Sequence, residues 1–294
     1  MRCSLGYSRW DDNSWQDYSR VTKAATSREQ IFKQTFIKEA YDPAKVVIRE
    51  SRDSEKNPNS TPIIVGLDVT GSMGIIAEVM AKDGLGELVN GILDRVPVSD
   101  PHIMVMGIGD QGDRAPLQAT QFEADIRIAE QLSDIWLEGN GGGNGSEAYD
   151  IPWIFAARKT VIDSMIKRGK KGYLFTIGDE NPPPNGVSEA NYQRVFGKSE
   201  QKGGVALKDS LAEAQESYDV FHIIVEQGDY CRRDIKGVTN NWRNLLGRRA
   251  ISLNDYTKVA PVILSVIEVA EGRNPEDVVR SWEDKDTRKA VRYS

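Results

Sequence analysis

One short run of the chain combines a carboxylate and two hydroxyls at alternate positions. In the run DVTGS at residues 68–72, Asp68, Thr70 and Ser72 are each separated by one residue. The run follows an apolar segment, IIVGL at 63–67, and its glycine permits a tight turn. Carboxylate and hydroxyl oxygens on one side of such a turn are the ligands that a hard cation such as Mg²⁺ prefers. The run therefore predicts a site for a divalent metal.

Acidic residues also follow three other apolar segments, directly or after one glycine. The acids are Asp110, Asp179 and Glu226, and the segments before them are IMVMGI, YLFTI and VFHIIV. If these segments are parallel strands, their carboxyl ends meet at the edge of the sheet where open α/β proteins bind ligands. Acids gathered there repel one another, and a divalent cation between them removes the repulsion. The alternative is that each acid only caps the helix that follows it.

The segments that carry these acids alternate with helical patterns. The four apolar runs are short and rich in β-branched and aromatic residues, as buried parallel strands are. Amphipathic spacing predicts helices over 73–95, 147–168, 205–217 and 256–270, the first as one helix or a broken pair. Residues 117–123 predict an additional antiparallel edge strand. This order predicts an α/β fold with a doubly wound, mostly parallel central sheet flanked by helices, of Rossmann-like type.

The run DVTGS resembles the metal-ion-dependent adhesion site (MIDAS) of von Willebrand factor A (VWA) domains, whose pattern is D-x-[ST]-x-S. The resemblance extends over about residues 61–270, because the order of helices and strands also matches. It implies that Thr70 and Ser72 bind the metal directly and that Asp68 belongs to the same site. Asp179 stands at the position of an Asp that the family supplies from a third loop. The implied ion is Mg²⁺, with Mn²⁺ or Ca²⁺ as alternatives.

A second loop of the family supplies a threonine ligand, and here the sequence departs from the pattern. The family run G-G-T-x-T-G-x-A-L corresponds to GGGNGSEAY, which places Gly143 at the threonine position. Glycine has no side chain to offer, so a neighbouring residue or a water takes this position. The further candidate contributors to the metal site are Asn144, Ser146, Glu147 and Asp110.

Two flanking regions lie outside the VWA-like part of the chain. A Thr-x-x-Glu capping box that begins at Thr26 predicts a helix over 26–39. Asn274 followed by Pro275 predicts the start of a charged C-terminal helix. The predicted parts are an N-terminal extension at 1–60, a VWA-like domain at 61–271 and the C-terminal charged helix at 272–294.

Two tryptophans, Trp10 and Trp15, stand in the polar N-terminal run YSRWDDNSWQDYSR. A tryptophan buries its apolar area only if it docks on another surface. Docking on the core of the chain itself is the favoured interpretation, and contact with a partner is the alternative.

Composition and motif content exclude several classes of protein. The chain has 294 residues and a net charge of −6, which disfavours binding to nucleic acid. Its longest apolar stretch, 259–270, is shorter than the roughly 20 residues that a membrane-spanning helix needs. The first residues, MRCSLGYSRW, lack the apolar segment of a secretory signal, so we expect a cytoplasmic location.

Competing catalytic motifs are weaker than the metal pattern. The run GIGDQG at 107–112 matches a dinucleotide-binding pattern, but Asp110 and Asp113 would face the diphosphate of the ligand. His222 lies within an apolar strand and is typical of a buried core histidine. A Ser-His-acid triad therefore has no evident histidine at the carboxyl edge of the sheet.

The function that the resemblance implies is metal-dependent protein binding by an adaptor or scaffold that is not an enzyme. A MIDAS-bound Mg²⁺ would capture an Asp or Glu of the partner. The resemblance points to the intracellular bacterial or phage-type VWA proteins, with an AAA+ ATPase of the MoxR kind as candidate partner. Two alternatives remain open. They are a Mg²⁺-dependent phosphohydrolase that uses Asp68, Asp110 and Asp179, and a VWA scaffold with a degenerate metal site.

Overall fold

The computed structural model describes residues 9–138, 147–198 and 202–292, apart from the side chains of Asp12 and Ser72. The strands in these ranges are β1 (Arg49–Ser51), β2 (Thr61–Asp68), β3 (Pro101–Ile108), β4 (Leu117–Ala119), β5 (Thr160–Ile162), β6 (Gly172–Gly178), β7 (Tyr218–Val225) and β8 (Ala250–Leu253). Six of them form one sheet in the order β4-β3-β2-β6-β7-β8, and β1 pairs separately with β5.

The large sheet is parallel except at one edge, where β4 runs antiparallel to β3. At its centre, Ile63 of β2 lies opposite Ile103 of β3 and Tyr173 of β6. Both faces of β2, β3 and β6 are buried, which explains why these strands are mostly apolar. The predicted α/β fold with a mostly parallel sheet flanked by helices is confirmed.

The edges of the sheet differ from the prediction in two ways. The antiparallel edge strand is shorter than the predicted 117–123, because only its first three residues form a ladder and Glu123 makes an isolated bridge with Ile103. Strand β8, which pairs with β7 in parallel, was not predicted. Its sequence AISL has only four residues and contains Ser252, so its apolar pattern is too short to stand out.

Helices cover both faces of the sheet and define its two apolar layers. They are α1 (Asp12–Ala24), α2 (Arg28–Ile31), α3 (Gly74–Val79), α4 (Leu85–Arg95), α5 (Arg127–Ser133), α6 (Asp150–Lys159), α7 (Asp163–Arg168), α8 (Glu189–Phe196), α9 (Leu207–Ser217), α10 (Ile235–Leu246), α11 (Val259–Ala270), α12 (Pro275–Arg280) and α13 (Lys285–Arg292). No helix in the described part of the chain is long and apolar enough to cross a membrane.

Two predicted helices are interrupted. Over 73–95, helices α3 and α4 are joined by the π-helical turn Met80–Gly84, which agrees with the predicted broken pair. Over 147–168, the β-branched run at 160–162 leaves the helix and forms β5. The Thr160 hydroxyl lies 2.7 Å from the Tyr218 hydroxyl, and β5 pairs with β1.

The predicted helix over 26–39 is wrong. Only α2 forms there, with Ser27 as its N-cap residue in place of the predicted Thr26. The chain leaves the helix because Ile31 and Phe32 turn into the core. Three side chains beyond this point converge on the carboxylate of Asp134, the residue after α5, and these contacts hold the segment outside a helix. The side chains that donate hydrogen bonds to Asp134 are those of Gln34, Lys38 and Tyr41.

The N-terminal aromatic run forms α1 and docks on the chain itself. Trp15 is 8% exposed and lies over α4, where a Cβ atom at Gly86 would meet its indole ring at 2.1 Å. Its ring centroid is 5.5 Å from those of Trp10 and Tyr18. The interpretation that these tryptophans pack on the chain's own core is confirmed.

The C-terminal region contains two helices instead of one. Asn274 caps α12 as predicted, since its side chain accepts from the backbone N–H groups of Glu276 and Asp277. A second cap follows at Asp284, whose carboxylate accepts from the backbone N–H and the hydroxyl of Thr287. This cap starts α13 as a separate helix.

Burial of His102 gives the stability of the fold a pH dependence. His102 is 2% exposed, and its Nδ1 lies 3.1 Å from the Ser51 hydroxyl. Burial lowers the pKa of His102 from 6.5 to about 4. The unfolded chain therefore binds a proton between these pH values that the folded chain does not. The contribution of His102 to folding is complete above pH 6.5 and is lost as the pH falls towards 4.

We expect His102→Gln to flatten the decline of unfolding free energy with falling pH between 6.5 and 4, by up to about 1.4 kcal/mol per pH unit. Urea unfolding at several pH values measures this slope. Ser51→Ala, which keeps the imidazole, serves as the control and retains the slope. Parallel pH profiles for wild type and His102→Gln would contradict the assignment.

Candidate metal site

Asp68 is the last residue of β2 and is fully buried. Its Oδ1 accepts hydrogen bonds from the Thr70 backbone N–H at 2.9 Å and from the Thr70 hydroxyl at 2.7 Å. Gly71, with φ of +42°, turns the chain directly after this pair. The run at 68–72 therefore folds back on itself so that Thr70 Oγ1 meets the carboxylate of Asp68.

Thr70 also brings Glu147 to the same place. Its Oγ1 lies 3.1 Å from Glu147 Oε1, and Glu147 is 1% exposed. A hydroxyl has one proton and cannot donate to both carboxylates. Either Glu147 carries a proton of its own, or positive charge is needed between the two acids. Glu147 therefore lies beside Asp68 and Thr70, and its role in a metal site stays a prediction.

Asp179 follows β6 and lies beside Asp68 across the sheet. Strands β2 and β6 are neighbours, and the charge of Asp179 raises the pKa of Asp68. Asp179 is 4% exposed, and its Oδ2 accepts from the backbone N–H of Tyr230 at 2.8 Å. A Cβ atom at Gly228 would lie 2.2 Å from that of Asp179, so only glycine leaves room for the carboxylate there.

Two residues that were not predicted complete the surroundings. The Tyr149 hydroxyl donates to Asp68 Oδ2 at 2.9 Å, and a Cβ atom at Gly178 would meet this hydroxyl at 1.9 Å. Glu180, 9% exposed, donates its backbone N–H to the Tyr149 oxygen at 3.5 Å. The sequence offered a signal for Glu180, because it directly follows Asp179 in the run IGDE. It offered no signal for Tyr149, because the contact of Tyr149 with Asp68 depends on how the start of α6 approaches β2.

The four acids at this site share an electrostatic problem. Burial raises the pKa of each, and neighbouring carboxylates raise it further; the pKa of Glu180 rises to about 7. Among the described residues, no Lys, Arg or His forms an ion pair with any of them. One oxygen each of Glu147 and Glu180 is buried and has no hydrogen-bond partner in the described part of the chain. The acids of this cluster are Asp68, Glu147, Asp179 and Glu180.

The remaining predicted residues have different outcomes. Asp110 lies near the acidic cluster, since its charge raises the pKa of Glu147 and Glu180. Glu226 lines a different cavity, two strands away from Asp68. Asn144, Ser146 and Gly143 lie outside the described residues, as does the side chain of Ser72.

The glycine run at 107–112 does not have the surroundings of a dinucleotide site. After β3 the loop turns back through Pro116 into the antiparallel strand β4, so no helix begins there. The backbone N–H of Asp110 donates to Asp113 Oδ2, and the backbone N–H of Asp113 donates to the Asp110 carbonyl. These bonds close an acidic turn instead of a phosphate cradle.

The donor chemistry of the site fits a hard divalent cation. Carboxylate oxygens and the Thr70 hydroxyl are all hard oxygen ligands, and one buried oxygen of Glu147 lacks a partner. In the described ranges, no group of three His, Cys, Asp or Glu side chains stands at ligand spacing around one point. A site of the expected kind depends partly on hydroxyls, and one of these belongs to Ser72.

Comparison with known proteins yields remote structural likeness alone. No family model and no curated protein matches the chain. The pilus adhesin SpaC from Lactobacillus rhamnosus GG, in an open conformation, is 11% identical with a TM-score of 0.47, covering 78% of this chain and 31% of the adhesin. Proximal thread matrix protein 1 from the mussel byssus is 13% identical with a TM-score of 0.45, covering 71% of this chain and 47% of that one.

A von Willebrand factor type A structure from Catenulispora acidiphila is 16% identical with a TM-score of 0.39. The match covers 74% of this chain and 43% of that one. The chain thus spans less than half the length of each of these three structures. Identities and TM-scores as low as these assign neither a family nor a function.

Repulsion within the acidic cluster predicts that its charge destabilises the metal-free fold. Asp68→Asn keeps an oxygen for the two bonds from Thr70 and removes the buried charge. We expect this variant to be more stable than wild type by about 1 kcal/mol in the presence of EDTA, because an unpaired buried carboxylate opposes folding. Urea unfolding at neutral pH measures the difference.

An Asp→Asn substitution at a carboxylate that has ion-pair partners should change the unfolding free energy in the opposite direction. Asp53 pairs with Lys167 at 3.2 Å and Arg168 at 2.7 Å, and these cations hold its pKa below the ordinary value. Asp53→Asn should therefore lower the unfolding free energy. A loss of stability in both variants would mean that the carboxylate of Asp68 supports the fold through its hydrogen bonds.

Proposed function

We propose that this chain is a protein-binding domain whose contact depends on a divalent cation held at the acidic cluster. Asp68, Thr70, Ser72 and Asp179 would hold Mg²⁺, and Glu147 would contribute a further oxygen. The bound ion supplies a positive centre that attracts a carboxylate of the partner. The observation that carries the proposal is the burial of four acids with no ion-pair partner in the described part of the chain.

The energetic argument concerns repulsion between these acids. Two like charges about 4 Å apart near a protein surface repel by about 4 kcal/mol at an effective dielectric constant of 20. Asp68 and Glu147 lie on either side of a single hydroxyl oxygen, so they are strongly coupled. In the metal-free chain protonation relieves the repulsion, because burial and the charge of Asp68 raise the pKa of Glu147 well above its ordinary value. A divalent cation would relieve it by taking the place of that proton.

Binding is favoured over catalysis by the surroundings of the site. The two histidines of the chain, His102 and His222, are both buried within strands of the sheet and are 2% and 0% exposed. The Nδ1 of His222 lies 2.8 Å from the Thr176 hydroxyl oxygen, and its ring stacks on that of Trp242 with 3.5 Å between the ring centroids. No histidine is thus in place to act as a general acid or base at the carboxyl edge.

A cavity beside the acidic cluster offers room for a segment of the partner. It has a volume of about 570 Å³ and extends from Asp110 and Glu147 to the loop at 183–188. A partner side chain that enters it would reach the cation from the side of Glu147. The prediction of an AAA+ ATPase partner and that of a cytoplasmic location stay predictions.

Metal binding is tested first by calorimetric titration of Mg²⁺ and Mn²⁺ into metal-stripped protein. We expect saturable binding at one site in wild type and a loss of at least about tenfold in affinity in Asp179→Asn, since a carboxylate ligand is removed. Asp229→Asn is the matched control. Asp229 is exposed, pairs with Arg232 at 3.0 Å, and raises the pKa of Asp179 through its charge.

The control separates direct ligation from a general effect of negative charge. Equal losses in Asp179→Asn and Asp229→Asn would contradict ligation by Asp179. No binding in wild type, even with an acidic peptide present, would favour the degenerate scaffold. Magnesium-dependent hydrolysis of a phosphate monoester that disappears in Asp68→Asn would favour the phosphohydrolase.

Capture of a carboxylate is tested with two capped peptides, N-acetyl-Gly-Asp-Gly-amide and N-acetyl-Gly-Asn-Gly-amide. We expect the Asp peptide alone to bind, and only to the Mn²⁺-loaded protein, because the ion is the attractive centre. Paramagnetic broadening of the Asp side-chain protons by Mn²⁺ measures the contact. Equal broadening of both peptides, or equal affinity with EDTA present, would contradict the proposal.

A further inference from the structure

A second cavity opens at the carboxyl edge of the sheet, beside β7 and β8. Its volume is about 500 Å³. One wall is a polar face of α10, where residues three or four apart share one side of the helix. The opposite walls come from the ends of β7 and β8 and from α13. The lining residues are Lys236, Thr239, Asn240 and Arg243 of α10, together with Glu226, Ser252, Asn254 and Lys289.

The basic side chains of this cavity are exposed to solvent. Among the described residues, Lys236, Arg243 and Lys289 form neither an ion pair nor a side-chain hydrogen bond. Many other basic side chains of the molecule form ion pairs with acidic ones, as Arg95 does with Glu268 and Arg158 with Glu213. Three unpaired cations that converge on one cleft of a chain with net charge −6 therefore point to an anionic ligand.

Buried hydroxyls at the walls point to the same kind of ligand. Thr239 is 8% exposed, and its Oγ1 is buried without a hydrogen-bond partner in the described part of the chain. Ser252, also 8% exposed, stands on the facing strand β8. A buried hydroxyl that lacks a partner costs stability unless a ligand or water completes it. Apolar residues would serve better at these positions if the cavity were only a packing defect.

We propose that this cavity binds a small phosphate monoester. Lys and Arg side chains bind the phosphate through charge-assisted hydrogen bonds, and the Thr239 and Ser252 hydroxyls donate to its remaining oxygens. The volume of about 500 Å³ leaves room beside a phosphate group for the remainder of a small monoester. Glu226 and the amides of Asn240 and Asn254 are suited to hydroxyl groups on that remainder.

The phosphate site is distinct from the acidic cluster. Asp68 ends β2 and Glu226 follows β7, and strand β6 lies between these two strands. Asp179 of the acidic cluster follows β6, the neighbour of β7, but no side chain of that cluster lines the cavity. Occupation of one site therefore does not require the other, and this inference does not rest on the proposed metal-dependent function.

The test is calorimetric titration of glycerol 3-phosphate and inorganic phosphate into the full chain with EDTA present. EDTA prevents phosphate from binding through a metal at the acidic cluster. We expect saturable one-site binding of glycerol 3-phosphate, tighter than that of inorganic phosphate, and equal binding by the Asp68→Asn variant. Glycerol and glycerate should not bind measurably, because the phosphate supplies the main contacts.

Matched variants identify the residues that hold the phosphate. Arg243→Gln should weaken binding by at least about tenfold, since a charge-assisted contact is lost. Arg248→Gln changes an exposed arginine outside the cavity and should leave the affinity unaltered. Thr239→Val keeps the shape of the side chain, and it should weaken binding while the fold becomes no less stable.

Three results would overturn the proposal. These are absence of saturable binding by any of the phosphates, equal affinity for glycerol 3-phosphate and glycerate, and equal losses in Arg243→Gln and Arg248→Gln. If Arg243→Gln fails to fold, unchanged phosphate affinity in Thr239→Val would overturn the assignment of the hydroxyl. Loss of binding in Asp68→Asn would mean that the phosphate binds at the acidic cluster and not in this cavity.

Discussion

Negative charge buried beyond the carboxyl ends of β2 and β6 is the constraint on which the rest of this molecule depends. Asp68, Glu147, Asp179 and Glu180 are at most 9% exposed, and in the described ranges no basic side chain pairs with them. Such burial opposes folding by several kcal/mol per ion unless the charge is neutralised. A largely apolar sheet packed on both faces supplies the stability that tolerates this burial.

Neighbouring apolar structure holds these acids in place. The Tyr149 hydroxyl reaches Asp68 only because Gly178 leaves space on β6. Below it, His222 stacks on Trp242, whose indole N–H donates to the carbonyl of Glu180 at 2.8 Å. The acids thus rest on a buried aromatic layer whose contacts fix their positions.

The carboxyl edge of the sheet carries charges of opposite sign at two places. The acidic cluster lies at β2 and β6, while the cavity at β7 and β8 is lined by Lys236, Arg243 and Lys289. The two places are adjacent, because β6 and β7 are neighbouring strands, yet no acid of the cluster lines the cavity. Opposite charges at this edge therefore face two separate cavities.

Local patterns determined the four central strands β2, β3, β6 and β7, the acid at the end of each, and the Asn274 cap. Period and composition are properties of neighbours along the chain, so these features could be predicted. They also indicated that Asp68 and Thr70 share one turn. The helix predicted over 26–39 does not form, because burial of Ile31 and Phe32 in the core outweighs the local capping pattern. Tertiary structure alone decided which distant groups meet, such as Tyr149 with Asp68, or the polar face of α10 with the ends of β7 and β8. Those contacts depend on how elements cross in space, and no spacing within a single segment encodes that crossing.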